Sequence, residues 1–263
     1  GLSIGKPWPV IAIVALAGVL SSGRLTGSRL AEQRIVVHGA GAAGLGIARQ
    51  LKAAMRLEGL GEAQCLERVA ALDSRGLIVA DHEHGDAYKR ELAWPVNLAH
   101  ELGLGPTVDR GLESVVRAFR PTVLIGTSGQ RGCFTEDVVR AMARSCERPV
   151  IMPFSNPSDL SEAVPEDLLR WTDGRALVAT GSPFAPVEVG GRSVRIGQGN
   201  NVLVFPGLGL GVLLGGIRVV TDEMLTAAAF TLAGKVTDVE LASGMLFPAV
   251  SRLREISADV AAA

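Results

Sequence analysis

The sequence has little of what nucleic-acid binding requires. Aromatic residues make up 4% of its 263 positions, and the formal net charge is −1. No stripe rich in lysine and arginine stands out. Because nucleic-acid binding depends on clustered positive charge and, for single strands, on aromatic stacking, we expect no nucleic-acid partner.

Cysteine is also scarce. The three cysteines, Cys65, Cys133 and Cys146, form no C-x-x-C pair and are odd in number. This pattern is typical of a protein whose thiols stay reduced, so we predict a cytoplasmic location.

No apolar run suggests a membrane span. The apolar stretch from Val10 to Leu20 is shorter than the roughly 18 to 20 residues that a membrane-spanning helix needs. Pro7 and Pro9 favour a helix start, and Gly23 favours a helix end. We therefore predict a buried helix here and no membrane contact.

Groups that could deprotonate a substrate alcohol are few. The tyrosine, Tyr88, and the lysines, Lys6, Lys52, Lys89 and Lys235, do not lie at the end of a predicted strand. Of the histidines, His38 does, at the end of 34–38. His82, Glu83 and His84 lack zinc-site spacing and are predicted to lie in a solvated loop. A G-x-S-x-G nucleophile motif is also missing. We therefore predict no catalytic residue and no metal ligand in this chain.

Strand and helix patterns alternate along the whole sequence. This alternation predicts an α/β fold with a Rossmann-like, doubly wound, mostly parallel sheet and helices on both faces. The predicted strands are 34–38, 68–73, 121–126, 149–154 and 176–180. The predicted helices include 42–57, 62–66, 134–144 with Thr135 as N-cap, 207–217, 221–232 and 248–260, while 76–105 is expected to be irregular. No linker marks a boundary, so residues 1–263 are predicted to form one domain.

A glycine-rich turn between the first strand and its helix is the strongest functional signal. It reads Gly39-Ala40-Gly41-Ala42-Ala43-Gly44, which is the G-x-G-x-x-G pattern in its required strand-to-helix context. Gly39 is expected to make the tight turn, Gly41 to admit a pyrophosphate, and Gly44 to let the helix pack closely. The turn predicts dinucleotide binding, with His38 packed beneath the cofactor. A catalytic base at His38 and a merely structural glycine turn stay as the alternatives.

An acidic residue closes the second strand. Asp73 is the candidate that binds the adenine-side ribose, which favours NAD as the cofactor. Ser74 and Arg75 follow it, and an arginine there could accommodate a 2′-phosphate, so NADP stays the alternative. A merely solvated carboxylate also stays open.

Amide and hydroxyl side chains follow the later strands. Thr127 and Ser128 are candidate cofactor contacts, and Asn156 is a candidate contact to cofactor and substrate. Asn200 and Asn201, directly after a glycine pair, suit a substrate carboxylate or hydroxyl. From chemistry alone, these amides could equally initiate a turn or fix a loop.

Taken together, these segments closely resemble the C-terminal, NAD-binding domain of malic enzymes from about Ile11 onward. The resemblance is carried by Gly39–Gly44, Leu72-Asp73-Ser74-Arg75-Gly76, Thr122–Gln130 with Phe134-Thr135-Glu136, Arg148-Pro149 through Ser155-Asn156-Pro157, Trp171–Ala176, Gly181–Phe184, Gly197–Asn201, Phe205-Pro206-Gly207 and Thr221–Met224.

The resemblance implies oxidative decarboxylation of malate to pyruvate and CO2 with reduction of NAD or NADP, assisted by Mg²⁺ or Mn²⁺. It implies that Gly39 to Gly44 hold the pyrophosphate and Asp73 the ribose, while Asn156, Asn200 and Asn201 reach malate and the nicotinamide side. We also expect a homo-oligomer.

The same resemblance also shows what this chain lacks. The family's tyrosine acid, lysine base, malate-binding arginine and Glu-Asp metal pair belong to an N-terminal domain. A further metal-binding aspartate belongs to an Asp-Asp-Ile-Gln-Gly-Thr motif, where this chain reads Lys6-Pro7-Trp8-Pro9-Val10-Ile11. We therefore expect cofactor binding without turnover. The alternatives are a malolactic enzyme domain and a stand-alone, non-catalytic nucleotide-binding module.

Overall fold

The computed structural model describes residues 10–263, so the predicted helix start at Pro7 and Pro9 lies outside the described residues. In the described part, helices α1 to α12 span Ile11–Thr26, Ala42–Leu57, Glu62–Arg68, Ala87–Leu92, Val96–Glu101, Leu112–Phe119, Glu136–Ser145, Pro165–Trp171, Phe205–Leu214, Asp222–Gly234, Asp238–Ala242 and Leu253–Ala262. Strands β1 to β9 span Ile35–His38, Val69–Asp73, Gly76–Leu77, Val123–Gly126, Val150–Pro153, Leu177–Thr180, Val187–Val189, Arg192–Val194 and Gly197–Gln198. Across residues 10–263, every helix is too short or too polar to cross a bilayer.

Seven of these strands form one sheet in the order β3-β2-β1-β4-β5-β6-β9, and β7 pairs with β8 in a separate hairpin. Neighbours in the large sheet are parallel, except for the antiparallel pair β2–β3. The chain moves outward from β1 in one direction and then from β4 in the other, which places a topological switch point between them. The predicted Rossmann-like, doubly wound fold is confirmed.

Both faces of the sheet are covered by helices. Ile35 and Val37 of β1 lie in the core that contains α1, α2 and α10, whereas Val36 lies in the opposite core with α6 and α7. Alternate residues of one strand therefore enter two different cores. This explains why Ile35, Val36 and Val37 are all apolar instead of alternating with polar residues.

The predicted helix end at Gly23 is wrong. Helix α1 continues to Thr26 and ends at Gly27, whose φ of +71° is the left-handed conformation that favours glycine. Gly23 has a packing role instead, because a Cβ there would lie 2.6 Å from the carbonyl oxygen of Ser28.

The prediction that 76–105 is irregular is also wrong, since β3, α4 and α5 lie in it. Two helices of six residues each are too short to produce a clear apolar period. Helix α6 and the β7–β8 hairpin were not predicted at all. The predicted N-cap of α7 is confirmed, because the Thr135 hydroxyl accepts a hydrogen bond from Val138 N at 3.4 Å.

Candidate functional site

The predicted site residues lie at one edge of the sheet. The parallel strands β1, β2, β4, β5, β6 and β9 share a direction, so the segments that follow them meet at their carboxyl ends. These segments hold the glycine turn, Asp73, Thr127 with Ser128, Asn156, and Asn200 with Asn201. The fold therefore brings together residues that are far apart in sequence.

The three glycines of the motif differ in what a side chain would contact at their positions. Gly39 has φ +108°, and a Cβ there would lie 2.5 Å from the backbone nitrogen of Ser128. A Cβ on Gly44 would lie 2.2 Å from the carbonyl oxygen of Gly39. At Gly41, by contrast, a Cβ would meet no protein atom within 4 Å. Gly39 and Gly44 are thus required by the fold, whereas Gly41 leaves open space above the backbone.

The start of α2 lies beside the open space at Gly41. Its first helical hydrogen bond runs from Leu45 N to Gly41 O at 2.9 Å, so the amides of Ala42, Ala43 and Gly44 precede the helical ladder. The N–H of Ala40 instead donates to Leu72 O at 2.8 Å and holds the turn against β2. The open space at Gly41 and the positive end of a 16-residue helix fit a pyrophosphate.

Asp73 closes β2, but both of its oxygens already accept hydrogen bonds. Lys89 Nζ lies 2.6 Å from one oxygen, and Arg75 N donates to the other at 2.8 Å. Partial burial would raise the pKa of Asp73, yet these bonds and the two positive charges together hold that pKa below its ordinary value. Sequence reasoning missed Lys89 at this edge, because the helix that carries it, α4, was not predicted.

Thr127 and Ser128 direct their hydroxyl groups into the protein. Thr127 donates to Gly39 O at 2.9 Å and thereby fixes the glycine turn. Ser128 donates both its backbone N–H and its hydroxyl to Glu162, at 2.7 and 2.9 Å. Within the described structure, their side chains therefore support the site from beneath.

The amides that follow β5 and β9 are held differently. Asn156 is exposed, its amide oxygen accepts a hydrogen bond from the Ser182 hydroxyl, and its nitrogen donates to Phe154 O at 3.3 Å. Asn200 uses its oxygen to cap a short 3-10 turn through Val202 N at 2.9 Å, and Asn201 is exposed. Ser182 thus fixes the orientation of the Asn156 amide, and no sequence pattern predicted this contact.

His38 lies below the glycine turn and is buried. Its ring packs at a tilt against Phe134, with 6.2 Å between ring centroids, and neither ring nitrogen has a hydrogen-bond partner among the described residues. Burial lowers the pKa of His38, while the negative charge of Glu162 and the side chain of Gln130 raise it by less. The folded protein therefore resists protonation of this ring.

The burial of His38 predicts that the folded protein becomes less stable in acid. Below a pH of about 6.5, the unfolded chain binds a proton at position 38 that the folded chain resists, so folding stability falls as pH decreases. We expect the free energy of unfolding, measured with urea, to decrease less between pH 8 and pH 5.5 for His38→Asn than for the unchanged chain. The same substitution at the exposed His100 is the control, and an equal loss in all three proteins would contradict the prediction.

The His82–His84 segment is not simply a solvated loop, so that prediction is wrong for His84. This residue is 3% exposed, and its Nε2 lies 2.8 Å from Val79 O. Among residues 10–263, no group of three or more histidine, cysteine, aspartate or glutamate side chains is arranged to hold a metal ion.

Comparisons with known proteins find clear relatives of this chain. The family model described as malic enzyme, NAD binding domain, matches residues 10–263. The NAD-dependent malic enzyme of Sodalis glossinidius is 46% identical over 253 residues, which are 96% of this chain and 44% of that protein. The NAD-dependent malic enzyme 3 of Bacillus subtilis is 45% identical over 251 residues, which are 94% of this chain and 44% of that protein. This chain thus spans less than half the length of these relatives.

Solved structures show the same fold. A malic enzyme from Pyrococcus horikoshii has a TM-score of 0.71 and 23% identity, covering 96% of this chain and 51% of that one. The NAD-dependent malic enzyme from Thermotoga maritima has a TM-score of 0.69 and 23% identity, covering 96% and 56%.

Proposed function

This chain belongs to the family of malic enzyme NAD-binding domains, and from that premise we propose that residues 1–263 form the single cofactor domain of an enzyme that oxidatively decarboxylates malate to pyruvate and CO2. The observation that carries the proposal is the open backbone at Gly41 beside the start of α2, a cradle shaped for a pyrophosphate. NAD supplies the hydride acceptor when it is bound there.

The roles of the chain's own residues follow from their places along the sheet edge. The turn Gly39–Gly44 lies between β1 and α2 and would hold the pyrophosphate, and Asp73 on β2 would receive the adenine-side ribose. The nicotinamide half would then extend across the switch point toward β4 and β5. There, Asn156 would contact nicotinamide and malate, and Asn200 with Asn201 would contact malate from β9.

The residues described here do not fit a metal ion, so we assign the Mg²⁺ or Mn²⁺ of the complete enzyme to another domain. We propose that this substrate- and metal-binding domain covers helix α9, which begins four residues after Asn201. Gly207 and Gly211 let α9 pack closely on α12, while the same helix exposes Phe205, Leu213 and Leu214, which are 62%, 72% and 77% exposed. Such an apolar patch beside a binding site is typical of an interface.

We propose further that the complete enzyme is a cytoplasmic homo-oligomer.

The direct test of cofactor binding is a fluorescence titration with NADH and NADPH. We expect NADH to bind with a dissociation constant below about 1 mM, since a weaker constant would mean less than about 4 kcal/mol of binding free energy. We also expect NADPH to bind more weakly than NADH, because its 2′-phosphate would meet the Asp73 carboxylate. Failure of both nucleotides to bind would overturn the proposed function.

The Lys89–Asp73 ion pair predicts how the nucleotide preference can be changed. Replacing Lys89 with methionine removes one of the two positive charges beside Asp73 and leaves Arg75, so a 2′-phosphate would be repelled more strongly. We expect NADPH to lose about fivefold or more in affinity, roughly 1 kcal/mol, while NADH changes by less than about twofold. Lys235→Met, which removes an ammonium paired with Asp259 on α12, is the matched control. Equal losses for both nucleotides in Lys89→Met would contradict this role.

A further inference from the structure

Glu162 is a carboxylate that no sequence motif singled out. It lies in the segment between Leu160 and the start of α8, and its side chain is completely buried. Burying a carboxylate is costly unless its oxygens are fully hydrogen-bonded, so the partners of Glu162 indicate what it does.

Those partners come from two loops at the site edge. One oxygen accepts hydrogen bonds from Ser128 N at 2.7 Å, from the Ser128 hydroxyl at 2.9 Å and from the Ser155 hydroxyl at 2.6 Å. The other oxygen accepts from Ser155 N at 3.4 Å. Ser155 in turn accepts from Gly129 N at 2.9 Å. One carboxylate thus joins the loop after β4 to the loop after β5.

The surrounding backbone is built to admit this side chain. A Cβ at Gly126 would lie 2.5 Å from the carboxyl carbon of Glu162, so any larger residue at the end of β4 would displace it. The Glu162 backbone is fixed as well, because its carbonyl accepts from Phe134 N at 3.0 Å. The carboxylate therefore has one defined position beneath the two loops.

We propose that Glu162 is a positioning residue for the nicotinamide end of the cofactor site. It acts through the Ser128 loop and the Ser155–Asn156 loop, whose relative position sets the gap that the nicotinamide and the Asn156 amide share. This inference rests on the proposed function, because it assigns to these loops the nicotinamide half of a bound dinucleotide.

The charge of the side chain matters as well as its shape. Four donors converge on Glu162, and an ionised carboxylate only accepts hydrogen bonds. Glutamine has the same shape but offers an NH2 group where an acceptor is needed. Glu162→Gln should therefore loosen the two loops while it leaves the glycine turn in place.

The test compares two ligands that differ only at the nicotinamide end. NADH reaches both loops, whereas ADP-ribose carries the adenosine, the pyrophosphate and the second ribose without nicotinamide. In Glu162→Gln we expect NADH affinity to fall about tenfold, on the scale of one lost charged hydrogen bond, and ADP-ribose affinity to change by less than about twofold. Glu166→Gln, at an exposed glutamate of α8, is the matched control and should change neither.

Ser155→Ala removes one donor from Glu162 and serves if Glu162→Gln does not fold. Ser155→Ala should weaken NADH binding selectively in the same way. Where both single variants fold, the two losses of NADH affinity should be less than additive in the double variant. Equal losses for NADH and ADP-ribose, or a lowered melting temperature with unchanged NADH binding, would overturn the positioning role. If the unchanged chain binds ADP-ribose but not NADH, the positioning role fails while the phosphate cradle stands. If it binds neither ligand, the proposed function itself fails.

Discussion

Valine at position 41 is expected to abolish dinucleotide binding without unfolding the protein. A Cβ at Gly41 meets no protein atom within 4 Å, and its φ of −86° suits any L-residue, so the fold tolerates the change. The same space is where the pyrophosphate must approach the backbone. We expect NADH affinity to fall by at least about a hundredfold, or roughly 2.8 kcal/mol.

Two other glycine substitutions make this result specific. Gly234→Val changes a glycine whose Cβ would also meet no protein atom within 4 Å, but it lies at the end of α10, and it should leave NADH binding unchanged. Gly44→Val should instead destabilise the fold, because its Cβ would lie 2.2 Å from a backbone oxygen. Circular dichroism and NADH titration separate the two effects. Tight NADH binding by a folded Gly41→Val protein would refute the cradle.

The second prediction with a large effect is that this chain alone does not turn over malate. The lysines of the described part are all in ion pairs, Lys52 with Glu62, Lys89 with Asp73 and Lys235 with Asp259. Tyr88 lies against the Arg49 guanidinium, 5.0 Å from the ring centroid. Burial raises the pKa of Cys133 to about 11, so this thiol stays protonated at neutral pH.

Within residues 10–263, none of these lysine, tyrosine and cysteine side chains is therefore placed to accept the proton of the malate hydroxyl. General acid–base catalysis typically contributes 10² to 10⁴ in rate, so its loss alone makes turnover hard to detect. The metal, which would polarise the substrate, contributes several kcal/mol more. With malate, NAD and Mn²⁺, we expect no measurable NADH formation from the purified chain.

Fusing the N-terminal part of the Sodalis glossinidius relative to this chain should produce turnover, measured as NADH absorbance and pyruvate release. In that fusion, Gly41→Val should abolish turnover, whereas Gly234→Val should retain it. Turnover by the isolated chain would contradict our assignment of the acid, base and metal to another domain. An inactive but well-folded fusion would favour a stand-alone nucleotide-binding module, and lactate in place of pyruvate would indicate a malolactic enzyme.

The local patterns of the sequence predicted the main elements well. The predicted strand 34–38, with its apolar run Ile35–Val37, and the glycine turn that follows it had strong signals. A strand buried on both faces and a glycine-dependent turn each restrict residue type locally. Helix α2 has the predicted bounds of 42–57 for the same reason. The short helices α4 and α5 escaped prediction, because six residues give too few apolar repeats.

By itself, the sequence determined the fold class, the family and the chemistry of the glycine turn, because each depends on residue types at fixed local spacing. Only the tertiary structure placed Lys89 on Asp73, Ser182 on Asn156, and Glu162 beneath Ser128 and Ser155. These contacts join segments that are 7 to 34 residues apart in the sequence. They depend on how the parallel strands align their ends and on connecting segments that have no strong local pattern. No local spacing encodes which side chains a buried carboxylate will contact, and in this fold those contacts join the loop after β4 to the loop after β5.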